Sequence, residues 1–474
     1  MKKFWKNHRW VSLWVIVVLL MASGCEKDTP ERIPEPDQDP EYGTVYEYIQ
    51  SLFYFVYYWN GEVERYILKT PPKSGDVETY FYSLLYDGNK VSASDKAAQC
   101  YDRWSFMETY LDYSGVLVEG KYKSFGYNLV QVPDPDYSIR VCLVYENSPM
   151  AAAGIERGYE LLKLNGTDVM VLIGNGKIYD ELDKETNRFV FADREGNVLP
   201  EMTISAAEVN INPILHQATY EVNGKKVGYI VYNTFIVASK AGITAALQEM
   251  KDVDEFVLDL RYNGGGSVAV AEAICEHLLP QSVGNDSIVF AKFVLSELTK
   301  QRLKWDDEVI QIKRNESAMN LPRMFVITTG GTASASEEVI NDMKPFLDVI
   351  TVGTSTHGKP VGMGVWFYPP YSDEEIDAGN IPDWAFAPIT FRNDNKDGEG
   401  SYFLGIPATY TVYDDLYNLF GVDPVTLQGE ACLQSILTYI ETDIFPASVS
   451  GKSVDRMMPE ILPLKGLQIH AGCR

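Results

Sequence analysis

Two side chains in this 474-residue chain are of types and at a spacing that could do chemistry together. Ser334 lies in "TTGGTASASEEVINDM", where an apolar strand pattern passes through small residues into a helix pattern, so its hydroxyl falls in the turn between them. Lys359 follows 25 positions later, in "GTSTHGKP". A neutral lysine amine can take the proton of a serine hydroxyl as the oxygen attacks a carbonyl, which makes the pair a nucleophile and its base. Each residue also has a rival reading. Ser334-x-x-Glu337 is equally a helix capping box. Gly353, Gly358 and Lys359 fit a phosphate-cradling loop, but that loop has Ser or Thr after the Lys and runs into a helix. Here Pro360 follows, and "PVGMGVWFYPP" is aromatic, β-branched and broken by Gly and Pro, so the nucleotide reading fails.

The elements that must position the pair are legible as an alternation of strand and helix patterns from about Val209 onward. "KVGYIVYNTF" reads as a strand, "KAGITAALQEM" as a helix, "EFVLDLRYNGGG" as a buried strand ending in a Gly-rich turn, and "VAVAEAICEHLL" as a helix. "RMFVITTG", "SEEVINDMKPF" and "DVITVGT" repeat strand, helix, strand. A crossover of that kind returns the second strand parallel to the first, so the loops carrying Ser334 and Lys359 leave the same edge of the sheet. For the lysine to be neutral near physiological pH its amine must lose roughly three pKa units to burial, or about 4 kcal/mol, so apolar walls are expected around it.

Upstream the pattern changes. Residues 115–207 carry short strand signals, "GVLVEG", "IRVCLVY" and "YELLKLNG", between turn residues. Residues 42–114 open with "TVYEYIQSLFYFVYYW" and read as a helical packing module. Residues 1–24 combine Lys2, Lys3, Lys6 and Arg9 with an apolar run too short to span a membrane, which is an export signal. Ala22-Ser23-Gly24-Cys25 resembles a bacterial lipobox, implying a lipidated Cys25, and residues 25–41 form an acidic, Pro-rich tether. The expected place is the bacterial cell envelope, lipid-anchored at the periplasmic face or the outer-membrane surface.

A formal charge of −25 argues against nucleic acid as partner, because phosphate backbones demand clustered Lys and Arg. The five cysteines after Cys25 are odd in number and widely spaced, giving neither a disulfide framework nor a metal knuckle; Cys142 and Cys275 read as small core residues. No His-Glu-x-x-His or Gly-x-Ser-x-Gly motif occurs, so neither zinc nor an α/β-hydrolase triad is indicated, and no metal or cofactor is expected.

Thr332-Ala333-Ser334-Ala335-Ser336-Glu337 and the Lys at its distance resemble the motif and spacing of the C-terminal processing peptidases, or tail-specific proteases. "VLDLRYNGGGSV" resembles that family's Asp-Leu-Arg-x-Asn-x-Gly-Gly segment, and "LGIPATYTVYDD" its late Gly-Ile-Pro segment. "VYENSPMAAAGIERGYELLKLNGTDV" resembles a PDZ domain of the bacterial protease type through Ser148, Pro149, Ala153, Gly154, Gly158, Asn165 and Gly166, with Tyr159 departing from the usual Asp. The likeness runs from Gly115 onward. It implies a multidomain α/β protein: a helical module, a PDZ-like β-rich domain at 115–207, and a crotonase-like α/β serine peptidase core at 208–474.

The likeness further implies catalytic Ser334 and Lys359, and an oxyanion hole from the amides of Ala335 and either Gly265 or Gly266. Phe125, Gly126 and Tyr127 would form a peptide-binding loop that captures the free C-termini of protein or peptide substrates. The family has a Gln four residues after the Lys to orient the amine; here Met363 stands there, and a thioether cannot donate a hydrogen bond. Thr354, Ser355 and His357 are the nearby alternatives. Met363 also motivates the competing expectation of a lipid-anchored peptide-binding protein with weak or lost catalysis.

Overall fold

The computed structural model describes residues 43–132, 137–414, 416–446 and 460–462, so the export signal, Cys25, the tether and Cys473 lie outside the described residues. A six-stranded sheet lies at its centre, in the order Ile214–Val222, Lys225–Tyr232, Glu255–Asp259, Arg323–Thr328, Asp348–Gly353, Tyr410–Thr411. The first pair is antiparallel and every later pair is parallel. Helices Lys240–Glu249, Val268–Leu278 and Ala335–Met343 occupy the expected crossovers. The strand Glu255–Asp259 is buried at all five positions because both faces of the sheet are covered. One face packs under Ile243, Leu247, Ile274 and Val339, the other under Leu433, Ile436 and Ile440 of the helix Ala431–Thr442. Cys142 and Cys275 are core residues, as their apolar neighbours in the sequence require.

Register settles where the loops go. Thr328 pairs with Gly353 at the carboxyl ends of the parallel strands Arg323–Thr328 and Asp348–Gly353. The segments after Asp259, after Thr328 and after Gly353 therefore converge on one edge of the sheet, where an open parallel sheet collects its functional groups.

The N-terminal region is helical at Val45–Phe55, Asn60–Ile67, Val77–Ser83 and Ala93–Ala97. Its first helix is closed by a capping box between Thr44 and Glu47. The helical reading of residues 42–114 stops short of Phe106–Thr109, a strand that pairs antiparallel with Trp384–Ala387, itself paired with Trp366–Tyr368. A four-residue strand has no periodicity to declare itself, and its partner lies far along the chain. Because of that pairing, Tyr48, Phe53, Tyr57 and Trp104 share one apolar cluster with Val361, Trp366, Phe386, Ile389 and Phe403 from beyond the lysine loop.

The β-rich unit holds Tyr127–Val132, Ser138–Val144, Glu160–Leu164, Thr186–Ala192 and Met202–Ser205 in one sheet with its own core around Phe125, Tyr127, Phe189 and Phe191. Asn165 and Gly166, both at positive φ, make the tight turn that sets Leu164 opposite Thr167. "GVLVEG" is not the expected strand: Ser114–Glu119 is a π-helical turn ending at Gly120. Its valines favour extended backbone, but the pairing with Ala207–Asn210 is taken by the next segment, Lys121–Ser124.

Candidate functional site

Ser334 sits at φ 58°, ψ −120°, a backbone conformation that costs a non-glycine residue of order 1–3 kcal/mol and persists only where its surroundings hold it. Those surroundings can be named. Ala333 N–H donates to the Asn263 carbonyl at 3.0 Å, and Ser336 Oγ donates to the same oxygen at 2.9 Å, fastening both sides of Ser334 to the Gly-rich loop. Thr332 Oγ1 donates to the Leu260 carbonyl at 2.7 Å. Ser334 N–H donates to Glu337 Oε2 at 3.0 Å, while Glu337 N–H goes to the Ser334 carbonyl at 2.7 Å. The capping and nucleophile readings are thus compatible, because the Glu337 side chain caps the helix while the Glu337 N–H goes to the Ser334 carbonyl.

Glu337 does more than cap its helix. The residue is fully buried, and its Oε1 accepts from Thr356 Oγ1 at 2.6 Å and from Gly358 N–H at 2.7 Å, while Oε2 accepts from Lys359 N–H at 2.8 Å. One carboxylate oxygen therefore takes the backbone N–H groups of both Ser334 and Lys359. Burial pushes the Glu337 pKa up, and the donors from Thr356, Lys359, Gly358 and Ser334 pull against it. Sequence spacing shows Glu337 only as a capping residue; its reach to the lysine loop requires the parallel register of the two strands.

Lys359 is 4% exposed. Burial lowers its pKa to about 8, against the opposing pull of Glu338, Asp102 and Glu337. The neutral amine is therefore accessible near physiological pH, as proton abstraction from a hydroxyl requires. Among the described residues Ser334 Oγ and Lys359 Nζ are not joined by a hydrogen bond; catalytic contacts commonly tighten only when substrate closes the site. Glu338, on the same helix as Glu337, is pushed up to about 8 by burial and by Asp342 and Glu272, which keeps acidic charge low behind the lysine.

His357 is not arranged as a base for Ser334. Its Nε2 accepts from Trp104 Nε1 at 3.1 Å, its N–H donates to the Thr332 carbonyl at 2.9 Å, and burial together with Arg103 and Lys359 lowers its pKa to about 4. Sequence reasoning missed Trp104, which ties the N-terminal helices to the lysine loop, because no local signal connects residues so far apart. Thr354 contributes its carbonyl to Thr328 Oγ1 at 2.7 Å, and Ser355 is half-buried beside it. Met363 pairs with Ile389 and packs against the N-terminal aromatic cluster. A position expected to be polar is thus absorbed into an apolar contact between the two regions.

The Gly-rich loop approaches the serine closely. Gly265 lies at φ 98°, and a Cβ built on it would fall 2.8 Å from Ser334 Cβ and 2.9 Å from Ala335 N, so only glycine fits. Its N–H is held by Asn263 Oδ1 at 2.9 Å. Its carbonyl accepts from Phe235 N–H at 2.9 Å, so the Gly266 N–H, across the same planar peptide, points away from Phe235. Ala335 is the first residue of its helix, where an N–H has no intrahelical acceptor.

Phe125, Gly126 and Tyr127 lie where Lys121–Ser124 leads into Tyr127–Val132, and the Phe125 and Tyr127 side chains are buried in the core of the β-rich unit. Any ligand contact there would be to backbone. Part of that backbone is already engaged: Gly126 N–H donates to Ser124 Oγ at 2.8 Å, and the Phe125 carbonyl accepts from Met150 N–H at 3.1 Å. The β-rich unit is bolted to the core through Arg157, which meets Asp414 at 2.5 Å, and Asp414 also accepts from Tyr262 Oη at 2.8 Å beside the Gly-rich loop. Among the described residues no group of three or more His, Cys, Asp or Glu is placed to hold a metal ion.

Residues 226–373, which hold the Gly-rich loop, Ser334, Lys359 and Met363, match the model of peptidase family S41. These residues thus carry a peptidase family S41 domain, and the chain is similar to carboxyl-terminal processing proteases. The chain is 26% identical over 252 residues to the carboxyl-terminal-processing protease of Picosynechococcus sp., covering 52% of this chain and 56% of that one. It is 24% identical over 238 residues to the carboxy-terminal processing protease CtpB of Bacillus subtilis, covering 47% and 44% respectively. The chain thus spans about half the length of these relatives. A crystal structure named as an S41 protease from Bacteroides fragilis shares the fold, with a TM-score of 0.59 over 85% of this chain and 99% of that one, at 23% identity.

Proposed function

We propose that the chain is a serine endopeptidase in which Ser334 is the nucleophile and Lys359 its general base, acting on exported proteins or peptides near their C-termini. The observation that carries this reading is the Glu337 carboxylate, which accepts at once from the backbones of Ser334 and Lys359 and so holds together two residues from different loops. A buried lysine with a pKa of about 8 beside a strained serine is the combination acyl transfer needs. Ser334 Oγ attacks the substrate carbonyl as Lys359 takes its proton. The developing oxyanion is held by Ala335 N–H and, of the two glycines, by Gly266 N–H, since Asn263 already holds that of Gly265. Lys359 then returns the proton to the leaving amine, and water releases the acyl group.

The β-rich unit supplies selection in this reading, as a PDZ-like module, and the α/β core is of the crotonase-like kind. A lipid at Cys25 would hold the enzyme to a membrane of the cell envelope. A serine-directed fluorophosphonate probe tests the assignment: the wild type is expected to be labelled and Ser334→Ala not. Equal labelling of the two proteins, or none of either as pH is raised from 6 to about 9.5, across which Lys359 loses its proton, refutes it. The second outcome would favour a peptide-binding protein without turnover, a reading that Met363 in place of a polar residue supports.

A further inference from the structure

The outermost strand of the β-rich sheet comes from the far end of the described chain. Glu460–Leu462 pairs antiparallel with Tyr127–Val132, setting Glu460 opposite Gln131, Ile461 opposite Val130 and Leu462 opposite Leu129. Tyr127–Val132 is the strand into which the Phe125–Tyr127 segment leads. Peptide capture by strand addition uses an exposed sheet edge, with backbone hydrogen bonds providing affinity and a loop at the end of the edge receiving the terminus. The antiparallel register makes the backbone from Glu460 to Leu462 travel toward Tyr127, hence toward that segment. This is the polarity a captured substrate would have.

Resting on the peptidase reading for what the edge is for, we propose that Glu460–Leu462 is a self-docked strand that occupies the peptide-capture edge, and that a substrate must displace it. The segment is suited to be displaced. Its described ladder is only three residues long, Glu460–Leu462, and Pro459 and Pro463 flank it in the sequence. Tethering makes up for that shortness, since a covalently linked segment competes at an effective concentration of order millimolar. Only peptides that outcompete this internal strand would be held at the edge, which turns the segment into a threshold for substrate entry.

The test uses the full chain carrying Ser334→Ala, so that nothing is cleaved, with and without Leu462→Pro, which removes the N–H that faces Leu129 in the ladder. The probe is a fluorescein-labelled synthetic peptide spanning 458–464. The added proline is expected to raise deuterium uptake across 127–132 and to tighten probe binding by at least about tenfold, the scale set by removing a millimolar internal competitor. Unchanged uptake there, or unchanged affinity, overturns the proposal. Neither readout depends on turnover, so a failure here leaves Ser334-dependent labelling untouched, and loss of that labelling leaves this result standing.

Discussion

Exchanging Lys359 for Met is expected to give a protein that is more stable at neutral pH and that no longer turns over. Met has a similar unbranched shape and no charge, so it fills the buried position without the cost of holding an amine there. That cost follows from the pKa: about 8 folded against 10.5 for the ordinary side chain corresponds to about 3 kcal/mol in favour of the neutral form. The sign is the one for a depressed cationic group. Below pH 8 both folded and unfolded states carry the proton and the burial cost is fully present. As pH rises from about 8 to 10.5 the folded chain has released its proton while the unfolded chain still binds it, so wild-type stability climbs in that window.

The advantage of Lys359→Met in thermal or urea denaturation should therefore be greatest at pH 7 and shrink toward pH 10. Its kcat/KM should fall by about a thousandfold or more, since a thioether cannot take the Ser334 proton. The wild-type kcat/KM should rise with pH on a limb near 8. Turnover within tenfold of wild type in Lys359→Met would end the dyad assignment. A limb near 6.5 would transfer the base role to a histidine.

The second large effect is expected at Glu337. Glu337→Gln keeps the shape of the side chain but turns one acceptor oxygen into an NH2 group that faces donors. Whichever way the amide is placed, it meets either the Thr356 hydroxyl and Gly358 N–H or the N–H groups of Ser334 and Lys359. Leaving such buried donors unpaired costs about 1–3 kcal/mol each, less what a hydroxyl recovers by rotating. A destabilisation of about 2–5 kcal/mol is expected by urea titration, with kcat reduced by about a hundredfold in the fraction that stays folded, because Ser334 and Lys359 lose their common anchor. A folded Glu337→Gln enzyme with wild-type kcat would show that the shared carboxylate plays no part in positioning the pair.

How far the sequence reaches differs among these residues for physical reasons. The alternation of strands and helices around Ser334 and Lys359 is local information: buried parallel strands must be apolar throughout, and the helices that cover them must be amphipathic. From that pattern and the handedness of crossovers the convergence of the two loops follows, and Thr328 opposite Gly353 agrees with it. The tight turn at Asn165-Gly166 rests on a local demand, positive φ at two adjacent residues of types that tolerate it. The π-helical turn at Ser114–Glu119 was not legible, since valines prefer a strand only where a neighbour offers one. Phe106–Thr109 was missed for the opposite reason, its partner being a strand at Trp384–Ala387 that no local window contains.

Taken by itself, the sequence determined the α/β core, the serine and lysine at one sheet edge, and the need for a buried amine. Chain connectivity and side-chain polarity are enough for those, because each depends on neighbours in the chain or on a crossover of fixed hand. Tertiary structure alone decided that Glu337 joins the two loops, that Trp104 occupies His357, that Met363 belongs to an apolar seam, and that Glu460–Leu462 lies on the edge beside Phe125–Tyr127. Each of these is a pairing between groups distant in sequence, and a hydrogen bond or packed contact specifies a distance in space that one-dimensional spacing does not contain.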